Sequence, residues 1–245
     1  KLNLAGLTDI GGTVSIRGDT VLLGVFKTLN IKHMLVSDQG MREGLLYDLV
    51  GRITHTDVRD ATVETVMSKW GVDEMQARRV TDTVEMLCKK ACENSNIDTD
   101  QQAPLLRWAS MLHEIGLQVS HNNYHKHGSY LLTNADMQGF SRQEQALLAA
   151  LVLSHRSKFR TAAFDKLMKP FVTPGKHMCI LLRLAVLLQR GRADIELPDI
   201  DLKIDEEKII LRFPPDWLKH NSMTKASLKK EAEYLEAAGY TLDFA

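Results

Sequence analysis

Leu112-His113-Glu114-Ile115-Gly116 ends an apolar helix that Pro104 opens and that carries Leu105, Trp108, Leu112 and Ile115 on one side. Proline in a first helical turn loses no hydrogen bond, because the N–H it lacks has no intrahelical acceptor there. Apolar residues recurring at three- and four-residue steps give the helix one core-facing stripe. A histidine and a carboxylate side by side at its end are polar groups set at the edge of a core. Such a pair is either hydrogen-bonded in place or serves as a pair of ligands.

Outward from this point the pattern stays helical over residues 56–192. Asp57 can cap a helix running to about Trp70. Asp73 can cap the next, with Gln76 at the capping-box position and Val80, Val84, Leu87 and Ala91 along one stripe. The polar stretch 94–102 reads as a loop. Ser141, with Glu144 three residues on, caps a helix predicted to His155. Pro170 and Pro174 are expected to bracket a loop, and the last long helix to run from Gly175 to Gln189. Beyond it, residues 200–204 and 208–213 alternate and are rich in β-branched side chains, the mark of a hairpin. Pro214-Pro215 ends it, a helix follows over 224–238, and residues 240–244 form a last strand. At the other end, 20–29 is an apolar helix, 33–36 a short strand, and 40–50 a helix with Met41, Leu45, Leu46 and Leu49 on one side. A lone strand is not stable, so this segment reads as the edge of a larger sheet that the chain does not contain.

The 245 residues are 44% apolar, enough to build a core without staples. Basic and acidic residues balance at 31 each, so net charge does not point to nucleic acid. The distribution is uneven. Between Ser141 and Ala193 ten Lys and Arg face only Glu144 and Asp165, and such a block suggests a local anion site. Cys88, Cys92 and Cys179 show no disulfide spacing, which fits a reducing compartment. The apolar runs are too short to span a bilayer and no signal-peptide pattern opens the chain. The expectation is a cytoplasmic protein without membrane insertion.

His113-Glu114 resembles the way HD-superfamily phosphohydrolases present adjacent ligands to a divalent metal. His121, His125 and His127 follow, then His155, and together such residues could activate a metal-bound water. The HD pattern also needs an upstream histidine, where this chain has Gln76, and a late aspartate, where Leu181-Leu182-Arg183-Leu184 offers no carboxylate. A ligand set without either end is not expected to hold a catalytic metal. His113, Glu114, His127 and His155 are the candidates should one bind.

The same motifs carry a wider resemblance. Val36-Ser37-Asp38 leading to Arg42-Glu43-Gly44-Leu45-Leu46-Tyr47, Gln76-Ala77-Arg78-Arg79-Val80, Leu106-Arg107-Trp108-Ala109, His125-Lys126-His127 and Leu211-Arg212-Phe213-Pro214-Pro215-Asp216-Trp217-Leu218 stand in order along the chain. So does Gly139-Phe140-Ser141-Arg142-Gln143-Glu144-Gln145. Together they resemble the exopolyphosphatase/guanosine pentaphosphate phosphohydrolase family, closer to the exopolyphosphatase branch. The resemblance implies a mostly α chain. It has a remnant of the second actin-like α/β catalytic domain (1–51), an HD-like all-helical domain (52–193) and a small α+β unit (194–245). It also implies that catalysis, with its glutamate, two phosphate loops and magnesium, lies in N-terminal domains, so no catalytic residue is expected in this chain. Asp9-Ile10-Gly11-Gly12-Thr13 resembles the second phosphate loop, but it is one glycine short and lacks a preceding strand, so it reads as a chance match.

The expected function is therefore to bind inorganic polyphosphate and form a homodimer for an enzyme that removes terminal phosphate. His113, Arg142, His155, Arg156, Lys158 and Arg160 are the polyphosphate-binding candidates. No metal is expected on the chain itself. A self-contained HD-type phosphohydrolase and a purely structural assembly domain are the alternatives.

Overall fold

The computed structural model describes residues 20–31, 57–94, 103–194, 196–205 and 207–245. The expected strand at 33–36, the helix at 40–50 and Asp9–Thr13 lie outside the described residues, as does most of the expected loop 94–102. The chain divides into two units, 1–38 and 39–245. In the first, α1 (Thr20–Leu29) is the helix expected over 20–29. Asn30 ends it in the left-handed conformation, φ 53°, and the Ile31 N–H returns to the Phe26 carbonyl at 3.0 Å.

The second unit is mostly helical and ends in a three-stranded sheet. Its helices are α2 (Val58–Lys69), α3 (Glu74–Asn94), α4 (Ala103–Leu112), α5 (Tyr124–Asn134), α6 (Arg142–Ser154), α7 (Thr161–Phe164) and α8 (Lys169–Leu188). A 3₁₀ turn, Ile115–Gln118, joins α4 to α5. Asp57 caps α2 by accepting the Arg59 N–H, as its position predicts. Ser141 and Glu144 close a full capping box on α6. The box expected at Asp73 is only half made. Asp73 accepts the Gln76 N–H at 3.0 Å, but the Gln76 side chain is buried and donates to the Gln189 carbonyl at 3.0 Å instead. A buried amide with a carbonyl in reach satisfies a costlier group than the exposed helix start would.

The expected loop at Pro170 and Pro174 is also absent. α8 begins at Lys169 and takes both prolines into its first turns. Pro170 falls where no N–H is needed, and only Pro174 removes an intrahelical bond. α8 is long and apolar enough to cross a membrane by composition, yet Phe171, Met178, Leu181, Leu182 and Leu184 are buried in the protein core.

The C-terminal elements are β1 (Asp201–Asp205), β2 (Lys208–Arg212), α9 (Trp217–His220), α10 (Ser222–Glu236) and β3 (Thr241–Phe244). β1 and β2 form the expected hairpin, with Asp201 opposite Arg212 and Asp205 opposite Lys208. β3 lies parallel beside β2, which requires the crossover that α9 and α10 supply. Leu202, Ile204, Ile209, Leu211 and Leu242 turn into the common core.

Two features hold the site in place. Arg183 of α8 is 2% exposed. It forks onto Glu231 of α10, with Nε to Oε1 at 2.5 Å and Nη2 to Oε2 at 2.9 Å. Its remaining N–H groups donate to the carbonyls of Ser154 and Ser157. The second feature is a close approach of backbones. A Cβ on Gly116 would stand 2.0 Å from the Tyr124 carbonyl oxygen. One on Gly128 would meet Val152 Cγ1 at 2.9 Å. Glycine is required at both if the 3₁₀ turn, α5 and α6 are to pack this tightly.

Two outcomes follow. Arg183→Met leaves Glu231 buried and uncompensated and lowers unfolding free energy by about 3–5 kcal/mol in urea titration, whereas Arg183→Met with Glu231→Leu regains part of the loss. Gly116→Ala costs about 3 kcal/mol, while Gly191→Ala, with nothing within 4 Å of its added carbon, changes the midpoint by no more than about 0.5 kcal/mol. An unchanged midpoint for Gly116→Ala would refute the close approach.

Candidate functional site

The turn after α4, the start of α5 and the end of α6 bring four aromatic and imidazole rings together. His113 and His155 lie edge to face with centroids 5.5 Å apart. Tyr124 is 5.5 Å and His125 6.5 Å from His155. His113 and His155 are each 1% exposed. Each faces the carbonyl three residues back, Ser110 or Val152, from Nδ1 at 2.6 Å. A carbonyl only accepts, so Nδ1 carries the proton in both rings and Nε2 is left with a lone pair. His155 Nε2 then accepts from the Tyr124 hydroxyl at 3.4 Å. His113 Nε2 lies 4.0 Å from Glu114 Oε1 and has no hydrogen-bond partner among the described residues, nor has Glu114 Oε2.

Burial dominates the electrostatics. Desolvation lowers the pKa of His113, against the opposing pull of Glu114. His155 lies well below the usual imidazole value, through desolvation first and then the neighbouring His113. Both are neutral at physiological pH and cannot act as cationic phosphate contacts. Desolvation also raises the Tyr124 hydroxyl. Glu114 is neutralised by Arg192, at 2.5 Å, which also reaches Asp73 at 2.9 Å. Arg192 makes this bridge from a left-handed backbone, φ 49°, which is uncommon for a non-glycine residue.

Around this neutral centre lies a basic rim. The Arg156 guanidinium stacks 4.5 Å over the Tyr124 ring. Arg160 donates to the Leu153 and Lys158 carbonyls at 3.2 and 3.4 Å. Lys158 is exposed. Among the described residues none of Arg156, Lys158 and Arg160 pairs with a carboxylate. The bonds from Arg183 to the carbonyls of Ser154 and Ser157 fix the backbone from which this rim projects.

The six polyphosphate-binding candidates are thus separated. Arg156, Lys158 and Arg160 share the rim, and His113 and His155 sit inside, out of reach of a surface ligand. Arg142 is at the opposite end of α6, about 20 Å away at 1.5 Å per residue. Of the metal candidates, His127 is two residues from His125 on α5, on another side of that helix, and outside the ring cluster. No group of three or more His, Cys, Asp or Glu among the described residues could hold a metal. Magnesium wants oxygen ligands, and the one carboxylate here is bound by Arg192, so these residues do not fit it. Position 76, where an HD protein has its first histidine, is the structural amide described above. The late aspartate position falls in the helix stretch of Arg183, itself a buried cation. Tyr124 and Arg192 were not among the expected site residues, and His125 was named only among the histidines that together could activate a metal-bound water. The His125-Lys126-His127 motif pointed to the first turn of that helix, and Arg192 stood in the sequence only as one member of the basic block.

The family model for Ppx/GppA phosphatase, domain III, matches residues 58–232. The chain belongs to that family. Among its relatives is the guanosine-5'-triphosphate,3'-diphosphate pyrophosphatase of Pseudoalteromonas translucida, 32% identical over 98% of this chain and 48% of the relative. The proteins of the same name from Aeromonas salmonicida and Vibrio cholerae are each 30% identical, over 98% and 99% of this chain and 48% of their own lengths. The chain spans about half the length of the curated Ppx/GppA relatives it matches. These relatives carry the pentaphosphate name, and the expected leaning toward the exopolyphosphatase branch finds no support in them.

Neutral histidines make this Ppx/GppA chain acid-sensitive. Their folded pKa values lie below the unfolded value near 6.5, so the unfolded chain binds protons that the folded one refuses. Their stabilising contribution is complete above about pH 6.5 and is lost as pH falls toward the folded values. The melting temperature should drop between about pH 7 and about pH 5, and His155→Gln should drop less. Equal slopes for both proteins would contradict a neutral His155.

Proposed function

We propose that the chain is a phosphate-chain-binding, dimer-forming accessory part of a phosphohydrolase of this family, without hydrolytic activity of its own. The observation that carries this reading is the rim of Arg156, Lys158 and Arg160, which no carboxylate of the described residues neutralises. Guanidinium and ammonium groups left unpaired in this way suit a linear phosphoanhydride. His113 and His155 support the rim from within rather than contact the ligand. The cavity between α2, α3 and α4, by contrast, is lined by Glu64, Glu74, Asp82 and Glu85 as well as Arg78 and Arg107, and its acidity disfavours a polyanion.

Inorganic polyphosphate and the 5'-triphosphate of a guanosine nucleotide present the same chemistry. The relatives' name favours the nucleotide, and the chain's motifs favour the polymer. The whole enzyme would work in the cytoplasm as a homodimer, with magnesium held by its catalytic domains.

Titrating the 245-residue chain with long-chain polyphosphate and, separately, with guanosine pentaphosphate decides between the two sources. Binding should weaken about 20-fold between roughly 50 and 200 mM salt if three rim cations release counterions. Arg156→Ala with Arg160→Ala should abolish it, and Arg142→Ala should not. Neither ligand should lose phosphate, with magnesium or manganese present. Salt-independent binding, or none, removes this role. Phosphate release that His113→Ala abolishes would establish a self-contained hydrolase instead.

A further inference from the structure

The cavity between α2, α3 and α4 has a volume of about 640 Å³. Its base is one face of α3, which supplies Glu74, Ala77, Arg78, Thr81, Asp82 and Glu85. These positions recur at three- and four-residue steps and therefore form a continuous stripe, about 17 Å long at 1.5 Å per residue. Met67 of α2 and Met111 of α4 stand on either side. Met67, Ala77 and Thr81 are buried, while Glu64, Glu74, Arg78, Asp82 and Glu85 are exposed. The shape is thus a groove with a buried floor and charged edges.

The floor is apolar in what it offers. The Thr81 hydroxyl is already used, donating to the Ala77 carbonyl at 2.8 Å and lying 2.8 Å from Ser110 Oγ. Small side chains at 77 and 81 let another backbone come close, and methionine side chains repack around an apolar group. The rest of α3 is covered by α4, α8 and β1.

The edges carry charges that the chain leaves open. Arg107 is engaged, with Asp60 at 3.0 Å and Glu85 at 3.6 Å. Among the described residues Glu64, Glu74, Arg78 and Asp82 make no ion pair. Glu74, Arg78 and Asp82 are spaced to pair with one another along the helix, yet none does so. They present minus, plus, minus at four-residue steps, with Glu64 adding a further negative charge from α2.

We propose that this groove docks a basic amphipathic helix of another protein. Helices packed at about 20° stay adjacent over several turns, so a partner helix lying along α3 meets the same four-residue spacing. Its apolar side chains enter between Met67 and Met111. Lysine or arginine at two positions eight residues apart faces Glu74 and Asp82, with a carboxylate midway for Arg78. A helix in a groove is read through such anchors, and the charges set its direction and register more than its affinity. No described helix of this chain carries that pattern on exposed residues. Lys225, Lys229 and Glu233 of α10 run plus, plus, minus, so a second copy does not supply the complement. Occupancy of the groove does not depend on phosphate binding.

The test titrates the 245-residue chain with two synthetic helical peptides that share one apolar stripe. The first carries lysine, glutamate and lysine at four-residue steps beside the stripe, and the second carries the three charges reversed. The first should bind about tenfold or more tighter than the second by calorimetry, and should shift the backbone NMR signals of the groove-lining residues. Its binding should weaken as salt rises. Glu74→Lys with Asp82→Lys should invert the preference between the peptides. Both positions are exposed and unpaired, so the melting temperature should hold within about 2 °C. Equal binding of the two peptides, or none by either at about 1 mM, overturns the inference. So does a groove that takes spermidine, a small polycation, but not the first peptide.

Discussion

The fold hangs on a buried cation. Arg183 leaves α8 in the protein core and bonds to the carboxylate of α10, to the Ser154 carbonyl at the end of α6 and to the Ser157 carbonyl in the turn after it. It is flanked by Phe159 and Tyr234, 5.6 and 5.8 Å from its carbon centre. A guanidinium taken out of water must have its donors matched, and four acceptors from three elements do so here. The C-terminal α+β unit is thereby tied to the helical body, and the backbone from 154 to 157 has little freedom. The basic rim stands on that backbone. A buried charge thus decides where the surface charges point.

The centre beneath the rim shows how burial changes what a residue type can do. Histidine beside carboxylate beside histidine suggests a metal or an acid–base pair. At 1% exposure the imidazoles give up their charge and turn Nδ1 to carbonyls of their own helix turn. Glu114 is paired with Arg192, which reaches it from beyond α8. The arrangement is internally balanced save for a few nitrogen and oxygen atoms, and it no longer has the anionic ligands a divalent cation needs. Where the HD pattern would place its first imidazole ligand, this chain has an amide at Gln76, and the helix stretch that would carry the late aspartate holds the guanidinium of Arg183, each engaged in holding helices together.

Much of this was legible residue by residue. The stripe of α3, the caps at Asp57 and Ser141, the hairpin and the last strand are local patterns, and local patterns report directly on dihedral preference and on which face is apolar. Pro170 misled because proline costs no hydrogen bond in a first helical turn, and Pro174 because a single lost bond inside α8 does not end a helix whose apolar face, from Phe171 on, is buried in the core. Gln76 misled because a capping box competes with any better acceptor the folded chain offers. Arg142 was grouped with Arg156 because both lie in one basic stretch, although a helix separates their ends by its full length.

The sequence by itself determined the helical class, the order of elements, the family and the existence of a basic block, because each depends on composition, period or motif over a short span. Tertiary structure decided which cations gather without carboxylate partners, which histidines lose access and charge, and that His125 lies buried beside Tyr124 and His155. Those outcomes depend on burial and on distances between residues about thirty positions apart in the chain. They are set by the approach of backbones at Gly116 and Gly128, which no local pattern encodes.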